Sequence, residues 1–95
     1  MAGLGFNLTG MWIKGHKCTP HKDLDTPFKG NNGYELNQAK KICALSCDDR
    51  DDCFFANLYF SFDVQACALV GKDCGNWKTN TLDYYYIYKK GIYDG

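Results

Sequence analysis

The sequence predicts a small, disulfide-rich α+β domain in which one helix packs across an antiparallel β-sheet. Three observations lead to this fold class. The chain has only 95 residues but six cysteines. It contains one clear amphipathic helical pattern, and short apolar segments with strand-like alternation follow that pattern. A single helix beside consecutive strands is typical of α+β domains, where the helix covers one face of the sheet.

Composition limits the class of protein further. Eleven Lys+Arg balance eleven Asp+Glu, so the formal net charge is zero and a globally basic nucleic-acid binder is excluded. The 45% hydrophobic content excludes a disordered chain. The longest apolar stretch, residues 54–62, is far shorter than the ~20 residues that cross a bilayer. We therefore expect one domain over residues 1–95, with a core of about 6–90 between flexible ends.

The N-terminal third of the chain predicts one strand and a long loop. Apolar residues at 6, 8 and 11–13 indicate a first strand, in which Gly10 breaks the alternation as a β-bulge would. Residues 14–33 contain both prolines and many charges, which indicates a loop.

The helix is predicted over residues 34–47. Leu36, Ala39, Cys43 and Cys47 follow one another at intervals of three, four and four residues, which places them on one face. The acidic run at 48–52 should end the helix, because negative charge at a helix C-terminus opposes the macrodipole.

Three further strands are predicted after the helix. Residues 53–62 indicate a central strand, residues 67–70 a second strand after a turn at 63–66, and residues 82–90 a third after a loop at 71–81. In the central strand the even positions 54–60 share one face, and the odd positions 55–61 share the other.

The six cysteines are the most informative feature of the sequence. In so short a chain they predict disulfides and an extracellular compartment. A zinc site is the alternative, because Cys43 and Cys47 form one C-x3-C pair and His16 and His21 flank Cys18. No second knuckle accompanies that pair, so disulfides are favoured. Asn7 begins an Asn-Leu-Thr sequon, which predicts N-glycosylation of a secreted chain.

Four segments of the sequence resemble PAN/apple domains. They are KICALSC at 41–47, DCFF at 52–55, ACAL at 66–69 and YYYIYK at 84–89. The resemblance lies in a helix with C-x3-C, a cysteine after a short polar loop, an aromatic strand, a cysteine followed by x-Leu, and a closing Tyr-rich strand. It covers about residues 33–90.

The resemblance also implies a disulfide connectivity. It pairs Cys43 with Cys67 and Cys47 with Cys53, which leaves Cys18 to pair with Cys74. Two of these bridges would clip the helix to the sheet. Members of this family mediate protein–protein and protein–carbohydrate contacts, so the resemblance implies a recognition domain.

Two groups of residues are candidates for ligand binding. The first is a basic cluster around Cys18 that would attract anionic partners such as sulfated glycans, although a solvated loop is the favoured explanation because Asp23 and Asp25 follow it. Its lysines are Lys14, Lys17 and Lys22. The second group is aromatic, because tyrosines and loop tryptophans stack on sugars or anchor proteins unless they complete a core. Its members are Trp77 with the adjacent Lys78, and Tyr85.

The sequence contains no pattern that predicts catalysis or a cofactor. All six cysteines are expected in bridges, and no G-x-S-x-G motif is present. The acidic residues of 48–52 lack the spacing of a calcium-binding EF-hand loop, so a solvated loop closed by a Cys47–Cys53 bridge is expected.

We therefore expect a secreted, non-catalytic recognition or adhesion module that binds an extracellular glycan or protein. The alternative is a structural subunit of an extracellular filament or matrix. That function would use self-association through the apolar ends of the chain, and the zero net charge removes one barrier to it.

Overall fold

A computed structural model describes residues 10–18, 23–72, 74, 79–80 and 84–90. It contains a five-stranded antiparallel sheet, one α-helix packed on that sheet, and a separate two-stranded ribbon. The small disulfide-rich α+β fold class is thereby confirmed. In chain order the elements are β1 (Gly10–Lys14), β2 (His16–Lys17), β3 (Asp23–Gly30), α1 (Leu36–Asp48), β4 (Phe55–Phe60), β5 (Gln65–Val70), β6 (Thr79–Asn80) and β7 (Tyr85–Lys90).

Helix α1 begins two residues later than predicted because Glu35 is its N-cap. Glu35 has extended backbone, with φ −79° and ψ 162°. Its carbonyl accepts the first helical hydrogen bond, from the Ala39 N–H, at an N–O distance of 2.8 Å. The Glu35 N–H donates to Gln38 Oε1 at 3.4 Å, as in a capping box. The helix ends at Asp48, inside the acidic run, as predicted.

The sheet has the strand order β1-β7-β4-β5-β3, so β4 is central, as its sequence predicts. Successive side chains of β4 point to opposite faces. Ala56 and Leu58 join the core with α1, whereas Phe55 belongs to a second cluster on the other side. We call the side of the sheet covered by α1 the helix face, and the opposite side the distal face.

The helix face carries the main core. Helix α1 contributes Ala39, Cys43, Ala44 and Cys47, all fully buried, to this core. Leu58 of β4 and Tyr88 of β7 are fully buried with them. Small helix residues let α1 lie close to the sheet, and the larger strand residues fill the space between the layers.

All six cysteines are paired, with the connectivity that the family resemblance implies. The bridges are Cys18–Cys74, Cys43–Cys67 and Cys47–Cys53. The Cys43–Cys67 bridge ties α1 to β5 within the helix-face core, and the Cys47–Cys53 bridge closes the acidic turn. The Cys18–Cys74 bridge lies with Phe55, Val70 and Ile87 on the distal face.

The prediction of a loop over residues 14–33 was wrong for residues 23–30, which form strand β3 beside β5. β3 is an edge strand, so charged side chains such as Asp25 and Lys29 are exposed and its composition looks loop-like. The register shifts between Asp23 and Asp25 and again between Asp25 and Phe28. Pro27 lies within the second irregular stretch, where a strand tolerates a missing N–H.

Two shorter corrections concern the ribbon and β1. β2, within the predicted loop 14–33, pairs with β6, within the predicted loop 71–81. Strands of two residues are too short to show an alternating hydrophobic pattern, and these two are far apart in the sequence. Gly10 does not form a bulge, because β1 pairs with β7 in unbroken register from Gly10 to Lys14. A Cβ at Gly10 would instead collide with the main chain of Lys89.

The remaining strand boundaries shift by a few residues. The central strand is Phe55–Phe60 rather than 53–62, and β5 begins at Gln65, inside the predicted turn. The hairpin between them is closed by a hydrogen bond from the Ser61 N–H to the Val64 carbonyl, at 2.9 Å. Residues 6–9 of the predicted first strand and 82–83 of the predicted last strand lie outside the described residues.

Candidate functional site

One end of the distal face is closely packed, whereas the other end borders a cavity. At one end an apolar cluster is buried, built from Phe55, Val70, Ile87 and the Cys18–Cys74 bridge. At the other end the sheet borders a cavity of about 220 Å³. Asn57 and Tyr59 of β4 and Tyr85 of β7 line this cavity, which we call the distal cavity.

Small residues on β5 leave the space for the distal cavity. Ala66 pairs with Tyr59, and Ala68 pairs with Asn57. Both alanines line the cavity, where a larger side chain would fill it. On the outer side β3 adds Asp23, Thr26 and Lys29 to the lining. The cavity is therefore bounded by polar and aromatic groups over a base of small side chains.

Asn57 is the most unusual residue of the distal cavity. Its side chain lies on a central strand, and the residue is only 7% exposed. Its Oδ1 accepts a hydrogen bond from the Cys18 N–H at 2.8 Å. Its Nδ2 has no hydrogen-bond partner among the described residues. A buried amide donor without a partner costs about 1–3 kcal/mol.

An aromatic pair and a lysine stand beside this amide. The rings of Tyr59 and Tyr85 meet edge to face, with centroids 5.1 Å apart. Lys17 Nζ lies 4.5 Å from the centroid of the Tyr85 ring, within the range of a cation–π contact. Lys17 directly precedes Cys18 in the chain, so the bridge and the ring together fix where this positive charge lies.

The structure brings together two of the ligand-binding residues predicted from sequence. Lys17 and Tyr85 both line the distal cavity and contact each other. Lys14 does not join them. Lys14 pairs with Tyr86 and lies two residues after Trp12 on the same strand. Trp12 packs on the helix-face core. Because side chains alternate along a strand, Lys14 lies on the helix face, with its side chain exposed.

The other predicted site residues lie outside the described residues. They are Asn7, Lys22, Trp77 and Lys78, and also His21 of the basic cluster. The glycosylation of Asn7 and the binding roles of Trp77, Lys22 and Lys78 stay predictions.

Sequence reasoning missed Asn57, Tyr59 and Lys29 as site residues. A signal for Asn57 was available, because it is the polar residue within an otherwise apolar central strand. Its alternate position also places it on the same face as Phe55 and Tyr59. Lys29 gave no signal, since its segment was predicted as a loop. Its place beside the cavity follows from the pairing of β3 with β5.

The acidic turn after α1 forms an ion cluster at the surface. Arg50 donates to both carboxylate oxygens of Asp52, at 2.9 and 3.0 Å, and lies 3.9 Å from Asp25. The hydrogen bond from Arg50 lowers the pKa of Asp52. Asp48 accepts a hydrogen bond from the Tyr88 hydroxyl at 2.8 Å.

Among residues 10–18, 23–72, 74, 79–80 and 84–90, no three His, Cys, Asp or Glu side chains are grouped to hold a metal ion.

Comparison with protein-family models, curated proteins and solved structures finds no match to this chain. The distal cavity therefore has to be interpreted from its own chemistry.

With all six cysteines in bridges, the chain has no free thiol to act as a nucleophile. In the part of the chain that the structure describes, no helix is long and apolar enough to cross a membrane.

Proposed function

We propose that this protein is a non-catalytic extracellular recognition module that binds carbohydrate in the distal cavity. The observation that carries the proposal is the unpartnered Nδ2 of Asn57, buried beside the aromatic pair Tyr59 and Tyr85. Buried polar groups normally have partners in the folded chain. Trp12 Nε1, on the helix face, also lacks one among the described residues, but Asn57 lines the distal cavity, where another molecule could supply the partner.

Carbohydrate fits the composition of the cavity better than an apolar ligand does. A sugar ring combines an apolar C–H face with many hydroxyl oxygens, and the cavity combines tyrosine rings with amide, hydroxyl and charged groups. Its volume of about 220 Å³ lies below the roughly 300–1,000 Å³ of pockets for drug-sized ligands. One monosaccharide unit, at the end or in the middle of a glycan, is the ligand of matching size.

The extracellular setting is proposed from the disulfides. Three bridges in 95 residues are typical of secreted domains, because the cytosol keeps thiols reduced. Membership of the PAN/apple family is proposed on the four sequence segments that resemble it. The bridge from α1 to β5 and the bridge from α1 to the following turn support that membership.

A glycan array with matched variants tests the proposal. Wild-type protein should bind a defined set of glycans, and Asn57→Asp should lose that binding at least tenfold. The variant keeps the oxygen that accepts from Cys18 but replaces the Nδ2 donor by an acceptor. Asn37→Asp, an exposed change on α1 with the same charge difference, is the control and should bind as wild type does. Absence of glycan binding by folded wild-type protein would refute the proposal.

The alternative function, a structural subunit of an extracellular assembly, is favoured by a different observation. β1 is an edge strand of the sheet, and Met11 on it is 60% exposed. Exposed edges can pair with another chain. Light scattering over a concentration series tests this function. Assemblies that Met11→Lys disperses would support it, and a concentration-independent monomer would exclude it.

A further inference from the structure

We infer that the distal cavity selects a sugar that carries a carboxylate, such as a hexuronic acid, over the corresponding neutral sugar. This inference rests on the proposed carbohydrate function and adds the chemical class of the ligand. Three features favour such a sugar: the unpartnered donor of Asn57, the charges around the cavity, and the contact that positions Lys17.

The hydrogen bonding of Asn57 leaves the donor end of its amide without a partner. Because Oδ1 is occupied by the Cys18 N–H at 2.8 Å, the amide end left without a partner is Nδ2. Nδ2 can only donate hydrogen bonds. A ligand atom that satisfies it must therefore be an acceptor, and a carboxylate oxygen is a stronger acceptor than a hydroxyl oxygen.

The formal charge around the cavity is positive. Lys17 and Lys29 line it, and Asp23 is the acidic residue in the same lining. Asp23 also has an interaction partner of its own within the fold. Among the described residues of the lining, two ammonium groups and one carboxylate leave an excess of one positive charge, which favours an anionic ligand.

Lys17 is held in place before any ligand arrives. Its ammonium lies 4.5 Å from the centroid of the Tyr85 ring, and the next residue is anchored by the Cys18–Cys74 bridge. A lysine with restricted rotamers loses less entropy when it binds an anion. The chain offers a matched pair on the helix face, where Lys40 Nζ lies 4.9 Å from the centroid of the Tyr86 ring.

The experiment is an NMR titration of the disulfide-bonded protein with two matched pairs of sugars. The pairs are glucose with glucuronate and galactose with galacturonate, at low ionic strength because salt screens exposed charges. In at least one pair the uronate should bind at least tenfold more tightly than its neutral partner. The largest shifts should fall on Asn57, Tyr59 and Tyr85.

Charge-removing variants assign the preference to the cavity. Lys17→Gln and Lys29→Gln should each reduce the preference for the uronate about threefold or more. Lys40→Gln removes the same charge from the other face of the sheet and should leave the preference unchanged. An equal loss in all three variants would attribute the preference to net charge alone and would overturn the inference.

The outcomes separate this inference from the function on which it rests. If neutral and acidic sugars shift the cavity residues with equal affinity, the carbohydrate function stands and the inference is wrong. If none of the four sugars shifts those residues while the glycan array is also blank, both are wrong. If N-acetylalanine, which has a carboxylate but no sugar ring, binds as tightly as the uronates, selection of an acidic sugar is overturned in favour of carboxylate binding alone.

Discussion

The two faces of the sheet are built from the same strands but differ in packing and polarity. On the helix face, α1 and the strands bury an apolar core that contains two of the three disulfides. On the distal face, the third bridge covers only one end, and the other end borders a cavity with an unpartnered amide. Adjacent residues such as Leu58 and Asn57 belong to these opposite environments.

The difference separates the residues that stabilise the fold from those that we propose bind a ligand. A fully buried Leu such as Leu58 contributes about 1.5–3 kcal/mol relative to an exposed one. The unpartnered Nδ2 of Asn57 acts in the opposite direction. Trp12 Nε1 on the helix face also lacks a partner among the described residues, but Asn57 differs from it in lining the distal cavity.

The largest expected effects come from removing one bridge on each face. The Cys18–Cys74 bridge has a sequence separation of 56 and the Cys43–Cys67 bridge one of 24. In the chain-entropy model their loss lowers the free energy of unfolding by about 4 and about 3.5 kcal/mol, respectively. Alanine at both positions of each pair, followed by urea unfolding, measures this.

Sugar binding should distinguish the two bridge variants although their stability losses are similar. Loss of Cys18–Cys74 frees the backbone that donates to Asn57 and that carries Lys17, so binding should disappear. Loss of Cys43–Cys67 should leave binding within about threefold at a temperature where both variants are folded. The reverse result would contradict the assignment of recognition to the distal face.

Two neighbouring residues of β4 give the next largest contrast. Leu58→Ala on the helix face should lower the free energy of unfolding by about 2–5 kcal/mol, because it leaves a cavity in a closed core. Tyr59→Ala removes a larger but half-exposed side chain and should cost below about 2 kcal/mol while weakening sugar binding. Urea unfolding compares them, and an equal cost would show that the distal cavity is packed as tightly as the core.

Removing one tyrosine hydroxyl from each face of β7 should give a smaller difference in stability. Tyr88→Phe removes the hydrogen bond to Asp48 Oδ1 on the helix face and should cost about 1–2 kcal/mol. Tyr85→Phe keeps the ring that Lys17 contacts and should change stability by less than about 0.5 kcal/mol. Thermal unfolding at pH 7 measures both changes. Similar shifts in Tm for the two variants would contradict the prediction.

The smallest effect concerns the exposed pair of Arg50 and Asp52 and depends on pH. Arg50 holds the pKa of Asp52 below its unfolded value, so the pair stabilises the fold above pH ~4. This contribution is lost as the pH falls through the depressed pKa. Arg50→Gln should therefore lower the urea midpoint slightly at pH 7, and its difference from wild type should shrink as the pH falls through the depressed pKa of Asp52. A difference between wild type and variant that grows in acid would show the opposite sign.

The sequence alone was sufficient for the parts of the fold that local patterns specify. The spacing of Leu36, Ala39, Cys43 and Cys47 predicted the helix and its buried face, because helical periodicity is a local property. The alternation of β4 predicted that Ala56 and Leu58 share one face, which the structure places against α1, whereas Phe54, predicted on the same face, packs on the distal cluster. The disulfide pairs followed from the family resemblance, and the structure confirms them.

Only the tertiary structure decided the edge strand and the candidate site. β3 has the composition of a loop, and its pairing with β5 is a contact between distant parts of the chain. The distal cavity combines residues of β2, β3, β4, β5 and β7, so none of its geometry is visible in one segment. Sequence determined which side chains were available to the candidate site. Long-range strand pairing determined that Lys17, Lys29, Asn57 and Tyr85 border the same space, because side chains on separate strands meet only when the sheet forms.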